Sequence, residues 1–300
     1  MYNIDEFAEE VRKLLKLVMM DKEILIHSVT KNNGQKYKGI MIKNDTNVTP
    51  VIYLEQFYNV YCTGAVTMSE IIERIINLNE TAVPIDHVFP DYDKILNPDY
   101  IKDNVYPILV NAKANKSLLK QVYNEPLLDL TIIYVICNEK ASDYLASCKV
   151  TYEMLEKTNI SKEYLHEKAF ENLNKLEYTL MNFKDFFEKT FGIIQPELEF
   201  VPMYFFKTNM NAHGSNVLLN EKAMKDAADQ IGNFYIIPSS IHECLLIPDS
   251  EDIDKQTIVD AIFFVNNDKS SIPPEEVLSG SLYYYSKDKG LMISEEHDII

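Results

Sequence analysis

Asn32-Asn33-Gly34 lies between two short strand-like segments, residues 23–30 and 39–43, directly after an amphipathic helix pattern. Asn and Gly accept φ > 0 at low steric cost, so this tripeptide closes a tight turn. A tight turn joins its strands antiparallel. The preceding helix is predicted over residues 3–18, where Ile4, Phe7, Val11, Leu14, Leu15 and Val18 recur at helical spacing. Asn3 or Asp5 can cap it. Further helices are predicted over about 51–61, from Ser69 as N-cap to Asn79, and over 116–123, 151–157, 161–175, 182–190, 220–231 and 254–266. Strands are predicted over 105–111, 129–137, 147–150, 200–207, 235–237, 243–248, 282–285 and 291–293. Hairpins beside helices predict an α+β fold with mixed or antiparallel sheets and flanking helices, not a doubly wound parallel sheet. Residues 81–104 carry Pro84, Pro90 and Pro98 among several Asp and Tyr, and are expected to mark a boundary. The chain of 300 residues then divides into two subdomains, an N-terminal α+β region 1–95 and a larger C-terminal α+β domain 96–300.

Charge excludes several functions. Asp plus Glu number 46 against 29 Lys plus Arg, a formal net charge of −17. Residues 201–300 alone carry 16 acidic and 7 basic groups. Arg12 and Arg74 are the only arginines, so bidentate readout of phosphates or bases lacks material. Direct nucleic-acid binding and docking on an anionic membrane are therefore not expected. Cys62, Cys137, Cys148 and Cys244 include no C-x-x-C pair, so free thiols in a reducing cytoplasm are expected. The acidic N-terminus is no signal peptide, and no apolar run approaches the roughly 20 residues that span a bilayer. A soluble, cytoplasmic protein follows. The eight glycines build no G-x-G-x-x-G, and Ile40-Met41 follow Gly34–Gly39 where a phosphate loop needs Lys and Ser/Thr. No nucleotide or other cofactor is expected.

Five segments together resemble an uncharacterised domain-of-unknown-function family of Firmicute (Clostridia-type) bacterial proteins. They are Val29–Gly34, Val110–Leu119, Glu125–Leu130, Tyr235–Glu243, and Glu275–Ser279 with Tyr283–Tyr285. The resemblance runs from about residue 5 to 285 and implies a bacterial, soluble protein, with no activity attached. The family pattern near residue 213 favours a Gly-Ala pair, where this chain reads Ala212-His213-Gly214-Ser215.

Pro238–Glu243 holds the densest polar cluster between apolar runs: Ser239, Ser240, His242 and Glu243. A serine beside a histidine base suits acyl transfer, yet no G-x-S-x-G elbow is present. The other reading is a turn after Pro238 whose serines bind local backbone. On that reading Ile236, Ile237, Ile241 and Leu245 pack in the core. A metal reading would combine His213, His242, Glu243 and Asp249, but no H-E-x-x-H or H-x-H occurs and no metal is expected. His166 reads as part of a solvated helix face. Asn111 and Asn115 follow a strand, a place for a ligand site, but the preferences of Asn favour a cap or turn into the helix at 116. Function therefore reads as a non-enzymatic protein-binding or regulatory module, with a basic protein as partner. The alternative is a hydrolase or transferase using Pro238–Glu243.

Overall fold

A computed structural model describes residues 2–43, 49–81, 92–137, 147–192, 202–238, 240–250, 253–268 and 271–299. Helix α1 (Ile4–Val18) opens on a capping box in which Asn3 and Glu6 each accept the other's backbone N–H at 2.9 Å. The hairpin follows as β1 (Ile24–Thr30) and β2 (Lys36–Ile42), joined by a 3-10 turn over Asn32–Gly34. The helix expected from residue 51 is instead a two-residue strand, β3 (Ile52–Tyr53), followed by α2 (Glu55–Cys62). Pairing of Ile52 with Ile40 satisfies the backbone there, so the helix starts later. Helix α3 (Met68–Thr81) is capped at Thr67, not Ser69, because Thr67 and Glu70 form the reciprocal pair. Phe7, Val11, Leu15, Ile40, Ile42, Leu54, Ile71 and Ile75 form a core of their own.

Part of the stretch expected to be irregular lies outside the described residues, and part is helical: α4 (Tyr92–Ile95) and α5 (Pro98–Asn104). Pro98 sits at the first turn of α5 behind the Asn97 cap, where its missing N–H costs nothing. A four-stranded sheet is centred on β6 (Leu130–Cys137), which pairs with β4 (Val105–Asn111), β5 (Asn124–Leu127) and β7 (Ser147–Lys149). Pro107 is accommodated because β4 is an edge strand. The short helix α6 (Lys116–Leu119) follows β4, and α7 (Tyr152–Thr158) and α8 (Lys162–Leu173) follow the sheet.

The last sheet has six strands in the order β13-β12-β10-β11-β9-β8. These are β8 (Tyr178–Asn182), β9 (Tyr204–Thr208), β10 (Phe234–Ile237), β11 (Cys244–Pro248), β12 (Leu282–Ser286) and β13 (Gly290–Glu295). Helix α9 (Phe183–Phe191) follows β8, a 3-10 helix (Gly214–Leu219) leads into α10 (Glu221–Ile231), and α11 (Lys255–Asn267) follows β11. Every strand pair in the three sheets is antiparallel among the described residues, so the fold is α+β. The largest core joins Ile95 and Ile101 to Tyr134, Phe206, Phe234, Leu246 and Tyr283. None of the four cysteines is in a disulfide; Cys137 and Cys244 are buried, while Cys62 and Cys148 are half-buried.

Candidate functional site

The five segments singled out in the sequence converge. Asn33, at the hairpin tip, takes the left-handed conformation (φ 57°). Its N–H donates to Asn115 Oδ1 at 3.0 Å, and Asn115 Nδ2 donates back to Asn33 Oδ1 at 2.9 Å. Asn33 Nδ2 donates to the carbonyls of Pro274 (2.9 Å) and Val277 (2.6 Å). Asn115 Nδ2 also reaches the Asn111 carbonyl at 2.9 Å, and Asn111 Nδ2 reaches that of Leu278 at 3.1 Å. Asn111 and Asn115 are therefore neighbours, both buried, and both engaged in holding chain segments together. Beside them, the Asp129 carboxylate accepts from Ser279 Oγ (2.6 Å), Ser281 Oγ (3.1 Å) and the Tyr283 hydroxyl.

This knot forms one side of a cleft of about 650 Å³. Asn33 and Gln35 enter from the hairpin, Lys113 from the loop after β4, Lys116 from the start of α6, and Phe263 and Asn266 from α11. Phe263 is 58% exposed, a large apolar surface left in water at the rim. Asn266 Nδ2 donates to the Ser279 carbonyl at 3.0 Å, while its Oδ1 is buried without a donor among the described residues. Segment 297–299 completes the wall; Asp298 pairs with Lys113 at 2.6 Å. Gly280 permits that seat, since a Cβ there would come within 2.7 Å of the Asp298 carbonyl oxygen.

Pro238–Glu243 is the β10–β11 connection. Ser239 lies outside the described residues. Ser240 is buried, bridges Val277, and its Oγ accepts the His242 N–H at 3.0 Å. No hydrogen bond joins Ser240 to a histidine ring among the described residues. His242 Nε2 instead faces Glu276 at 3.3 Å, and Glu243 is half-buried at the start of β11. Ile236, Ile237 and Ile241 are buried and Leu245 half-buried. Ser240→Ala is expected to cost about 1 kcal/mol, the net worth of a typical hydrogen bond. Urea unfolding reads this directly, and an unchanged midpoint would contradict the structural role.

His213 takes φ 64° and leads into Gly214, whose Cβ would meet the His242 carbonyl oxygen at 2.4 Å. The close backbone approach is thus present here through Gly214. His213 Nδ1 is buried without a partner among the described residues. Burial, then the charges of His242 and Lys149, hold the His213 pKa down at about 4. An unfolded histidine titrates near ~6.5, so the unfolded chain takes up a proton first as pH falls. The contribution is complete above that value and is lost as pH drops towards about 4. His213→Asn, which tolerates positive φ, should flatten the dependence of the unfolding midpoint on pH across that window. An identical acid limb in both proteins would count against it. Among the described residues, no three His, Cys, Asp or Glu side chains are placed to hold a metal ion. Asp249 accepts from the Tyr284 hydroxyl at 2.8 Å.

One cluster escaped the sequence reading. Glu125 Oε1 accepts from Tyr134 (2.6 Å), Tyr123 (2.9 Å) and His166 Nδ1 (3.1 Å). Burial pushes the Glu125 pKa up, but these three donors outweigh it and hold the carboxyl below its usual range. Since Tyr134 donates to Glu125, its oxygen can only accept from His166 Nδ1 at 2.9 Å. His166 therefore carries its hydrogen on Nδ1, stacks on Phe170 at 4.3 Å, and is half-exposed on α8. The i, i+4 spacing of His166 and Phe170 was the available signal.

The model of a family of unknown function (DUF5688) matches residues 4–287. The chain belongs to this family. The DUF5688 match takes in the asparagine knot, Asp129 and the cleft walls as far as Gly280, whereas His297 and Asp298 lie beyond it. No curated protein and no solved structure matches the chain. No helix among the described residues is long and apolar enough to cross a membrane.

Proposed function

We propose that this DUF5688 protein is a non-enzymatic binding or regulatory module that takes a segment of a protein partner into the cleft beside the asparagine knot. The observation that carries this reading is the use of the polar groups. Asn33, Asn111, Asn115 and Asp129 are engaged with the chain itself, and the open part of the cleft offers Phe263, Lys116 and amides. Such a lining suits recognition of a peptide rather than bond cleavage. The net charge of −17 favours a partner that is basic overall. The protein is on this reading a cytoplasmic one from a Firmicute of Clostridia type, as the five segments suggest. Residues 1–95 and 96–300 are proposed to act as two units that share this cleft; a separate apolar core over Phe7–Ile75 supports a division, with Ile95 packing into the larger core. Full-length protein and the Phe263→Lys variant, which removes the exposed apolar contact and adds a charge that repels a basic partner, should retain different proteins from a bacterial lysate when immobilised at low salt. A partner held by the first and lost from the second is the expected result. Identical retention by both would refute the assignment of the cleft.

A further inference from the structure

Helices α1 and α3 pack against the first core and leave a groove of about 890 Å³ between them. Leu14, Ile72 and Ile76 line it, and Leu17 and Val18 stand on its lip, 71% and 64% exposed. Leu14, Leu17 and Val18 follow i, i+3, i+4 spacing, so they form one stripe beside the buried stripe of Phe7, Val11 and Leu15. Leu14 packs against the edge of that core, while Leu17 and Val18 are left out of it and stand in water. Contiguous apolar surface of this kind marks a contact site. The charges along the same groove are Glu70, Glu73 and Glu80 against Arg74. A second copy of this acidic chain would bring like charge to that rim, and so would an anionic membrane.

We infer that the α1–α3 groove docks an amphipathic helix of a partner protein, with an apolar stripe for Leu14, Leu17, Val18 and Ile76 and flanking Lys or Arg for Glu73 and Glu80. Helix-in-groove recognition uses anchors at i, i+3, i+4 and i+7, which is the pattern this lip presents in complement. The inference is independent of the cleft, because the two sites share no residue.

The test uses the full chain and a fluorescein-labelled synthetic helix of about 14 residues, Leu on one face and Lys elsewhere, read by anisotropy. Binding should weaken at least about tenfold in Leu17→Glu/Val18→Glu, where both side chains are exposed and the fold has no need of them. Glu73→Gln/Glu80→Gln should weaken it several-fold, as should a rise from about 50 to about 300 mM salt. Met20→Glu, exposed but outside the groove, should leave binding unchanged. The proposal falls if a Leu/Glu helix of the same pattern binds as tightly, if Leu17→Glu/Val18→Glu binds like the unaltered chain, or if Met20→Glu weakens binding equally. It also falls if sedimentation shows the chain pairing with itself through a contact that Leu17→Glu abolishes.

Discussion

Asp129→Ala should lower the unfolding free energy by about 3 kcal/mol or more, the largest loss expected from any single polar side chain here. Asp129 occupies the two-residue turn between β5 and β6, where its neighbour Leu128 is held at φ 56°. A branched residue at positive φ is strained, so the turn persists because its surroundings demand it. The carboxylate is what they demand. It accepts from Ser279, Ser281 and Tyr283, three hydroxyls on residues with no exposed surface. Burial first, then the facing carboxylate, push the Tyr283 phenol far above its ordinary range, so it remains a donor throughout the folded range. Removing the acceptor takes the carboxylate from Tyr283 and leaves its buried hydroxyl only the Ser279 side chain, while Ser281 retains the His297 carbonyl at 3.0 Å. Each buried unpaired group costs roughly 1–3 kcal/mol, and neighbours do not add in full. Asp129→Asn keeps one acceptor oxygen and should fall between the alanine variant and the unaltered chain. Tyr283→Phe removes a donor but leaves no buried group without a partner except one acceptor site, and should cost only about 1 kcal/mol. Urea unfolding of the three variants checks the order. An alanine variant within about 0.5 kcal/mol of the parent would mean that these hydroxyls find other partners.

The local signals in the sequence carried the elements that depend on local chemistry. Asn32-Asn33-Gly34 specified its turn, and the apolar runs of β4 and β6 specified buried strands, because their determinants are adjacent residues. Strand β5 was not legible, since Pro126 reads as a breaker and is tolerated only because the strand lies at an edge. Strand β8 follows a helix without a Gly or Pro signal, and its pairing partner β9 begins 22 positions after it ends. The 3-10 helix over Gly214–Leu219 buries Ser215 and Asn216 completely, a tertiary demand with no local trace. The site shows the same limit. Asn111 and Asn115 could be singled out, but their use depends on Asn33 and Leu278, which are 82 positions from Asn115 and 167 positions from Asn111 respectively. His166 could be read only as one face of a helix until Glu125 and Tyr134 were placed against it.

Asn33→Ala should be the second most damaging change, by about 2–4 kcal/mol, and its damage should be unevenly distributed. Two terms contribute. Alanine at φ 57° meets the left-handed penalty of roughly 1–2 kcal/mol that asparagine largely escapes. The lost amide also frees the carbonyls of Pro274 and Val277 and strands Asn115 Nδ2 from one of its acceptors. Asn33→Gly separates the terms, because it relieves the backbone and still lacks the amide. Asn115→Ala removes the opposite half of the pair, so a double-mutant cycle should return a coupling of roughly 0.5–3 kcal/mol. The hairpin contacts the rest of the chain here through Asn32, Asn33, Lys31 and Tyr37, all directed at Asn115 or at residues 274–277. Its own apolar residues face the separate first core. Loss of the asparagine should therefore raise hydrogen exchange in β1 and β2 well before it does so in β4 and β6, whose ladders rest on the larger core. Equal acceleration in both sheets would show one cooperative body and would defeat the division into two units that share the cleft.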